Sequence, residues 1–192
     1  MIAVQPNLFT VTPPNWPTKV YDVIYADPPW QYGSRGPRSG QFAELDYETM
    51  TTDEIAALPV EQIAARDAAL FLWFTGSFMP DALQVCEAWG FRFVRIDKVW
   101  AKTTAKGNRH AAVGPWGMSD CEFLLLGTRG RMCSRQAQRN QYVLCEEPYP
   151  GKHSEKPGVF RFGIEERFPD APRLELFARK RVPSWDAWGN EV

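Results

Sequence analysis

Seven consecutive residues, Ala68 to Phe74, are apolar without a break. A strand that shows one face to water alternates polar and apolar residues. A strand covered on both faces does not need to. This run therefore predicts a buried strand in the middle of a layered domain. Val20 to Ala26 is also rich in strand formers and predicts a second strand. Further strand signals lie at Phe91 to Trp100, Glu122 to Leu126, Gln141 to Cys145 and Leu174 to Phe177. Helix signals fall between them. Thr51-Thr52-Asp53-Glu54 opens one, and a short second helix runs through Ile63. Pro80 opens another, with Met79, Leu83, Cys86 and Trp89 on its buried face and Gly90 as its stop. Lys156-Pro157 opens the last, with Phe160, Ile164 and Phe168 spaced four apart. Alternating strands and helices predict an α/β domain with a mostly parallel central sheet flanked by helices. Residues 1–19 read as an irregular arm and 20–192 as a single domain. Gln31 to Gly40 and Thr103 to Gly117 read as loops.

Composition removes several classes of function. At 44% hydrophobic residues the chain can bury a core, and a net charge of −1 argues against indiscriminate binding to nucleic acid by charge alone. Basic residues do cluster locally, at Arg35 and Arg38, around Lys102, and at Arg129 to Arg139. No leader peptide and no run of transmembrane length is visible, so a cytoplasmic protein without a membrane partner is expected. Cys86, Cys121, Cys133 and Cys145 form no paired motif with His110 or His153, so no metal is expected and the thiols should be reduced and mostly buried.

The sharpest chemical signal is Asp27-Pro28-Pro29-Trp30, directly behind the first strand. Two prolines end the strand at once, because neither donates to the ladder. Open α/β sheets bind ligands just beyond the carboxyl ends of their strands. A carboxylate and a rigidly aimed proline carbonyl can each accept a hydrogen from an aromatic amine, and Trp30 could offer a face on which a base stacks. The plainer reading is a rigid turn whose aspartate caps a backbone amide.

The segment Ile24 to Trp30 resembles the catalytic motif of the DPPW-type N(6)-adenine methyltransferases, the family that includes the catalytic subunit of the eukaryotic mRNA adenosine methyltransferase and bacterial and phage DNA-modifying relatives. Leu45 to Met50, Leu70 to Gly76, Gly114-Pro115-Trp116 with Glu122, His153 to Pro157, Leu174 to Arg179 and Trp185 to Asn190 resemble the family's later segments in order. The resemblance implies a Rossmann-like methyltransferase fold with permuted motif order. It implies S-adenosyl-L-methionine as cofactor, S-adenosyl-L-homocysteine as product, and methyl transfer to the N(6) amine of adenine. DNA is the favoured substrate; RNA, or an inactive nucleic-acid-binding subunit, are the alternatives, as is an amino methyltransferase of a protein glutamine or small molecule.

By the same resemblance, Asp27, Pro28, Pro29 and Trp30 form the catalytic segment. Asp27, His153, Ser154, Lys156, Arg179, Asn190 and Glu191 hold the cofactor, Lys156 against its carboxylate. Tyr47, Trp116 and Glu122 shape the substrate side; Arg35, Arg38 and Lys102, in the basic clusters around the two loops flanking the site, are read separately as contacts to substrate phosphates. The family's habit of pairing leaves room for a homodimer or an unidentified partner subunit. One departure is visible: residues 1–19 hold no acidic residue where the eukaryotic member sets one against the cofactor.

Overall fold

A computed structural model describes residues 12–31, 48–114, 117–133, 141–151 and 155–192. Nine strands and four α-helices are present among them, in the order β1 (Tyr21–Ala26), α1 (Thr52–Ala56), α2 (Val60–Ile63), β2 (Ala64–Phe74), α3 (Met79–Ala88), β3 (Arg92–Thr103), β4 (Ala112–Gly114), β5 (Gly117–Ser119), β6 (Cys121–Arg129), β7 (Leu144–Pro148), α4 (Gly158–Arg167), β8 (Arg173–Leu176) and β9 (Asp186–Trp188). Seven strands form the central sheet in the order β7-β3-β6-β2-β1-β8-β9. The sheet is mostly parallel, as expected: β1 runs parallel to both β2 and β8, β3 to β7, and β8 to β9. Only β6 opposes its neighbours, β2 and β3.

The apolar run sits at the centre of this sheet and is covered on both sides. Leu70, Leu72 and Phe74 join Ile24, Ala26, Leu125, Leu174 and Leu176 on one face. There Ala82, Val85, Cys86 and Trp89 of the α3 segment cover them. Ala69, Phe71 and Trp73 join Val23, Tyr25 and Leu124 on the other face, beneath Phe160, Ile164 and Phe168 of the α4 segment. The two-residue period of a strand sends neighbours to opposite layers, so an unbroken apolar run is what two covered faces require.

Several boundaries differ from the sequence reading. In α3, Met79 is exposed and Leu83 only packs at the margin of the core. The buried stripe is Ala82, Val85, Cys86 and Trp89, which keeps helical spacing while setting the small Ala82 toward the sheet. The strand expected at 141–145 begins at Leu144 instead. The 103–117 loop contains β4, which pairs with β5 as a separate hairpin. A ninth strand, β9, follows the expected last one. Of the four thiols, only Cys86 is buried; Cys121 and Cys145 are half-buried and Cys133 is exposed, and none forms a disulfide.

The start of α1 follows its sequence signal closely. Thr51 Oγ1 accepts from the Glu54 amide at 3.2 Å, and Glu54 accepts from the Thr51 amide at 2.8 Å. This reciprocal cap satisfies two donors the helix would otherwise leave bare. Residues 12–20 contain no helix or strand. They are nonetheless tied to the far end of the chain, since Trp188 Nε1 donates to the Pro14 carbonyl at 3.2 Å and Trp16 packs edge-on against Trp188. Among the described residues, no helix is long and apolar enough to cross a membrane.

Candidate active site

β1 and β8 lie side by side and parallel, with Ala26 paired to Leu176. Their carboxyl ends therefore deliver Asp27 and Phe177 to the same edge of the sheet. The Pro-Pro segment then turns sharply. Pro28 accepts from the Trp30 amide at 2.9 Å, a three-residue turn that fixes the direction of its carbonyl. A carbonyl oxygen has two lone pairs, so one acceptor position is left after this bond. Pro29 accepts from the Met50 amide at 2.8 Å, and Gln31 returns a bond to Met50 at 3.1 Å. The Glu48 to Met50 segment is thereby laced against the turn.

Trp30 does not present a ring to a base. It is 5% exposed, stacks on Phe78 at 5.3 Å, and donates its indole N–H to the Trp73 carbonyl at 3.0 Å. The ring is a buried anchor for the turn. The expectation of an open stacking face fails because the core offers Trp30 both an aromatic neighbour and a hydrogen-bond acceptor.

Asp27 belongs to two constellations. The first is a cavity of about 370 Å3 lined by Asp27, Pro28, Pro29, Phe177, Arg179, Trp188, Asn190 and Glu191, with Glu48 to Met50 and Glu54 on its remaining side. Its far wall exists because the chain's last segment doubles back. The Ala178 amide donates to the Trp188 carbonyl at 3.0 Å, and Gly189 crosses directly over Ala178. A Cβ on Gly189 would stand 2.4 Å from the Ala178 oxygen, so only glycine lets the tail pass. Arg179 and Glu191 approach to 3.8 Å across the opening, a half-exposed pair that contributes little stability. Phe177 holds φ at +61°, an unusual left-handed conformation for an aromatic residue. Strain of this kind concentrates at functional sites.

The second constellation is a line of alternating charges. Lys156, two residues ahead of α4, places Nζ 2.6 Å from Asp27 Oδ2 and 3.2 Å from Glu122 Oε2. Glu122 also receives Lys102 at 2.6 Å. Burial raises the Asp27 carboxyl above the usual carboxylate range; Lys156 opposes this and the Glu122 charge adds to it. Burial alone would lower the Lys156 ammonium, but Asp27 and Glu122 hold it above its ordinary value, so it remains charged. Burial alone would likewise raise Glu122, yet Lys156 and Lys102 together keep it below its ordinary value.

The expected site residues thus separate into two sets that share Asp27. Asp27, Pro28, Pro29, Arg179, Asn190 and Glu191 meet around the cavity. Asp27, Lys156, Glu122 and Lys102 meet in the charged line. Arg35, Arg38, Tyr47, Trp116, His153 and Ser154 lie outside the described residues. Phe177, Trp188, Glu48 and Glu54 also line the cavity; the first three lie in the family-like segments and Glu54 in the start of α1, but sequence reasoning singled out none of them as a site residue.

Residues 21–191 match the family model MT-A70. The chain belongs to the MT-A70 family. Within that family it is 34% identical to the Type II methyltransferase M.MunI of a Mycoplasma species, an alignment covering 93% of this chain and 81% of that one. It is 29% identical to the human N(6)-adenosine-methyltransferase catalytic subunit METTL3 over 90% of its own length and 28% of METTL3. It is also 29% identical to the mouse N(6)-adenine-specific methyltransferase METTL4, over 91% of this chain and 38% of METTL4. The chain therefore spans well under half of these two mammalian relatives. As an MT-A70 member it is a methyltransferase, and the doubling-back tail and the Asp-Pro-Pro turn lie inside the matched segment.

Proposed function

We propose that this protein transfers a methyl group from S-adenosylmethionine to the exocyclic N(6) amine of adenine in DNA. The observation that carries the proposal is the position of Asp27, a carboxylate held by Lys156 on one side and open to the cavity on the other. The relatives' names support the atom, since METTL3 and METTL4 are N(6)-specific. DNA is favoured over RNA because M.MunI is similar over most of its length, whereas METTL3 is similar over about a quarter of its own.

The cavity suits the cofactor. It sets the charged Arg179, Asp27 and Glu191 and the amide of Asn190 among the apolar rings of Phe177 and Trp188. A nucleoside joined to an amino acid needs this mixture of flat walls and hydrogen-bonding groups. Arg179, Asn190 and Glu191 would hold the ribose and adenine, and Asp27 with Lys156 the methionine end, where the Lys156 ammonium matches a carboxylate. When bound, S-adenosylmethionine supplies a methyl group made reactive by the sulfonium centre.

The protein's own part is orientation and proton handling. An adenine amine is a weak nucleophile because its lone pair is delocalised into the ring. Asp27 accepts one amine hydrogen and the Pro28 carbonyl the other, which draws the nitrogen toward tetrahedral geometry and localises its lone pair for attack. Asp27 then takes the proton that the nitrogen sheds as the new bond forms. In duplex DNA the base must leave the stack first, at a cost of a few kcal/mol that the pocket offsets.

Mass spectrometry of nucleosides from DNA and RNA incubated with the protein and methyl-labelled S-adenosylmethionine tests the proposal. N(6)-methyladenine in DNA is the expected product. Label in RNA alone, or at another atom, refutes the assignment. Gly189→Ala provides an independent check of the tail. It is expected to cost about 1–3 kcal/mol of stability and to push Asn190 and Glu191 out of place. Titration calorimetry should then show weaker S-adenosylmethionine binding by a protein that still unfolds cooperatively; unchanged affinity would remove the tail from the cofactor site.

A further inference from the structure

The charged line behind Asp27 is longer than one ion pair, and its outer members do not touch the cavity. Lys102 lies on β3 and Glu122 on the adjoining β6, in strands whose register pairs Ala101 with Cys121. The sheet therefore fixes both backbones. The side chains of Lys156, Glu122 and Lys102 are 7%, 12% and 14% exposed. Lys156 lies over the Trp73 ring at 5.5 Å and Lys102 over the Trp100 ring at 5.4 Å. Those two rings meet edge-on at 6.3 Å, so both cations rest on one aromatic floor.

From this arrangement we infer that Glu122 and Lys102 are positioning residues: Lys102 occupies one oxygen of Glu122, so that Glu122 shares Lys156 with Asp27 instead of drawing it away. The inference rests on Asp27 as the acceptor of the amine hydrogen. Its physical basis is competition for one ammonium in a site where charges are poorly screened. Lys156 stands 2.6 Å from Asp27 and 3.2 Å from Glu122, while Glu122 stands 2.6 Å from Lys102. Two cations and two carboxylates balance. Without Lys102, Glu122 becomes a buried carboxylate whose nearest cation in this line is Lys156. The ammonium should move toward it, and Asp27 should lose the contact that keeps it ionised.

This differs from the substrate-facing role expected from the sequence for Lys102 and Glu122, and the two roles give opposite results in a charge-balanced double variant. Lys102→Met should lower kcat at neutral pH by at least about tenfold and move the acid limb of the pH profile upward. Lys102→Met with Glu122→Gln removes one charge of each sign and should recover most of the loss. The other groups near Asp27 are untouched by these substitutions: Arg179, the Tyr25 hydroxyl, which burial keeps neutral, and Glu175, which is bound by Arg161. Cys121, beside Lys102 and Glu122, has its thiol raised and stays neutral.

The decisive measurement needs no turnover. Carbon-detected NMR titration of the Asp27 carboxyl in the unbound protein should show protonation at higher pH in Lys102→Met than in the wild type, with the double variant returning toward wild type. Lys102→Arg, which keeps the charge, should titrate close to wild type and guards against a folding defect in the methionine variant. An Asp27 titration unmoved by Lys102→Met overturns the inference. So does a double variant more impaired than the single, or a loss confined to KM for nucleic acid, since those are the marks of direct substrate contact. Full activity of an Asp27 variant would instead overturn the reading of the site, leaving the titration result standing on its own.

Discussion

Asp27→Ala should eliminate methyl transfer while leaving the fold in place. The carboxylate is the acceptor we assign to the amine, and groups in this role contribute about 10²–10⁴ in rate. Loss of the amine's alignment adds to that, so activity should drop to background in a tritium-transfer assay. Asp27→Asn separates the contributions. The amide oxygen can still accept a hydrogen bond but cannot take the proton, so Asp27→Asn should retain more activity than the alanine variant and remain far below wild type. Circular dichroism and thermal unfolding should show native structure in both, because Asp27 lies just past the end of β1 outside the core and Lys156 keeps Glu122 as a partner. The wild type carries a related signature in pH. Because burial raises the Asp27 carboxyl, the group protonates as pH falls before an ordinary aspartate would. Activity should therefore fall on an acid limb above the usual aspartate range. Turnover by Asp27→Ala above background would remove Asp27 from the chemistry.

The second large effect is on stability. Arg167, in the last turn of α4, makes two parallel hydrogen bonds to Asp97 of β3, at 2.7 and 2.8 Å, with both side chains 8% exposed. Its guanidinium also lies over the Phe71 ring at 4.7 Å and donates to the Gly163 carbonyl at 3.2 Å. Asp97→Ala would leave a buried cation without its partner, which typically costs about 3–5 kcal/mol. For a chain of this size that should lower Tm by roughly 10 °C. Replacing both residues by apolar ones, Asp97→Leu with Arg167→Met, should be far less damaging than Asp97→Ala, because the desolvation cost then disappears with the charges. A melting temperature within a degree or two of wild type for Asp97→Ala would show that water or another group reaches Arg167. The pair sits at one end of α4 and Lys156 just before the other, so a loosened α4 should also lower activity.

Much of the architecture was legible because it depends on residues close together in sequence. The apolar stretch from Ala68 to Phe74 announces a strand with two covered faces, and Phe160, Ile164 and Phe168 announce a helix lying on one of them. Thr51 and Glu54 cap α1 through bonds three residues apart. What escaped depends on partners far away. β9 is three residues long, too short for any period to show. Trp30 satisfies an aromatic reading equally well as a base platform or a core anchor. The choice is made by Phe78 and by the carbonyl of Trp73, 43 residues on. Lys156 reads as a cation near a helix start, but its engagement with Asp27 spans 129 residues and leaves no local trace. The cavity's composition was legible as a list of polar residues through the family resemblance. The sorting of that list into a cavity wall and a buried charged line was not.

The way the tail returns over β8 bears on how the protein comes into being. During synthesis, Asp27 emerges early, yet the pocket's far side is built from Arg179, Trp188, Asn190 and Glu191. Until residue 191 has emerged, a ribosome-bound chain carries its acidic group without the pocket's far side. Competence to bind a nucleoside should arrive abruptly once the stretch from Arg179 to Glu191 has been made, and a chain cut after Trp188 should keep its sheet but hold a methyl donor poorly.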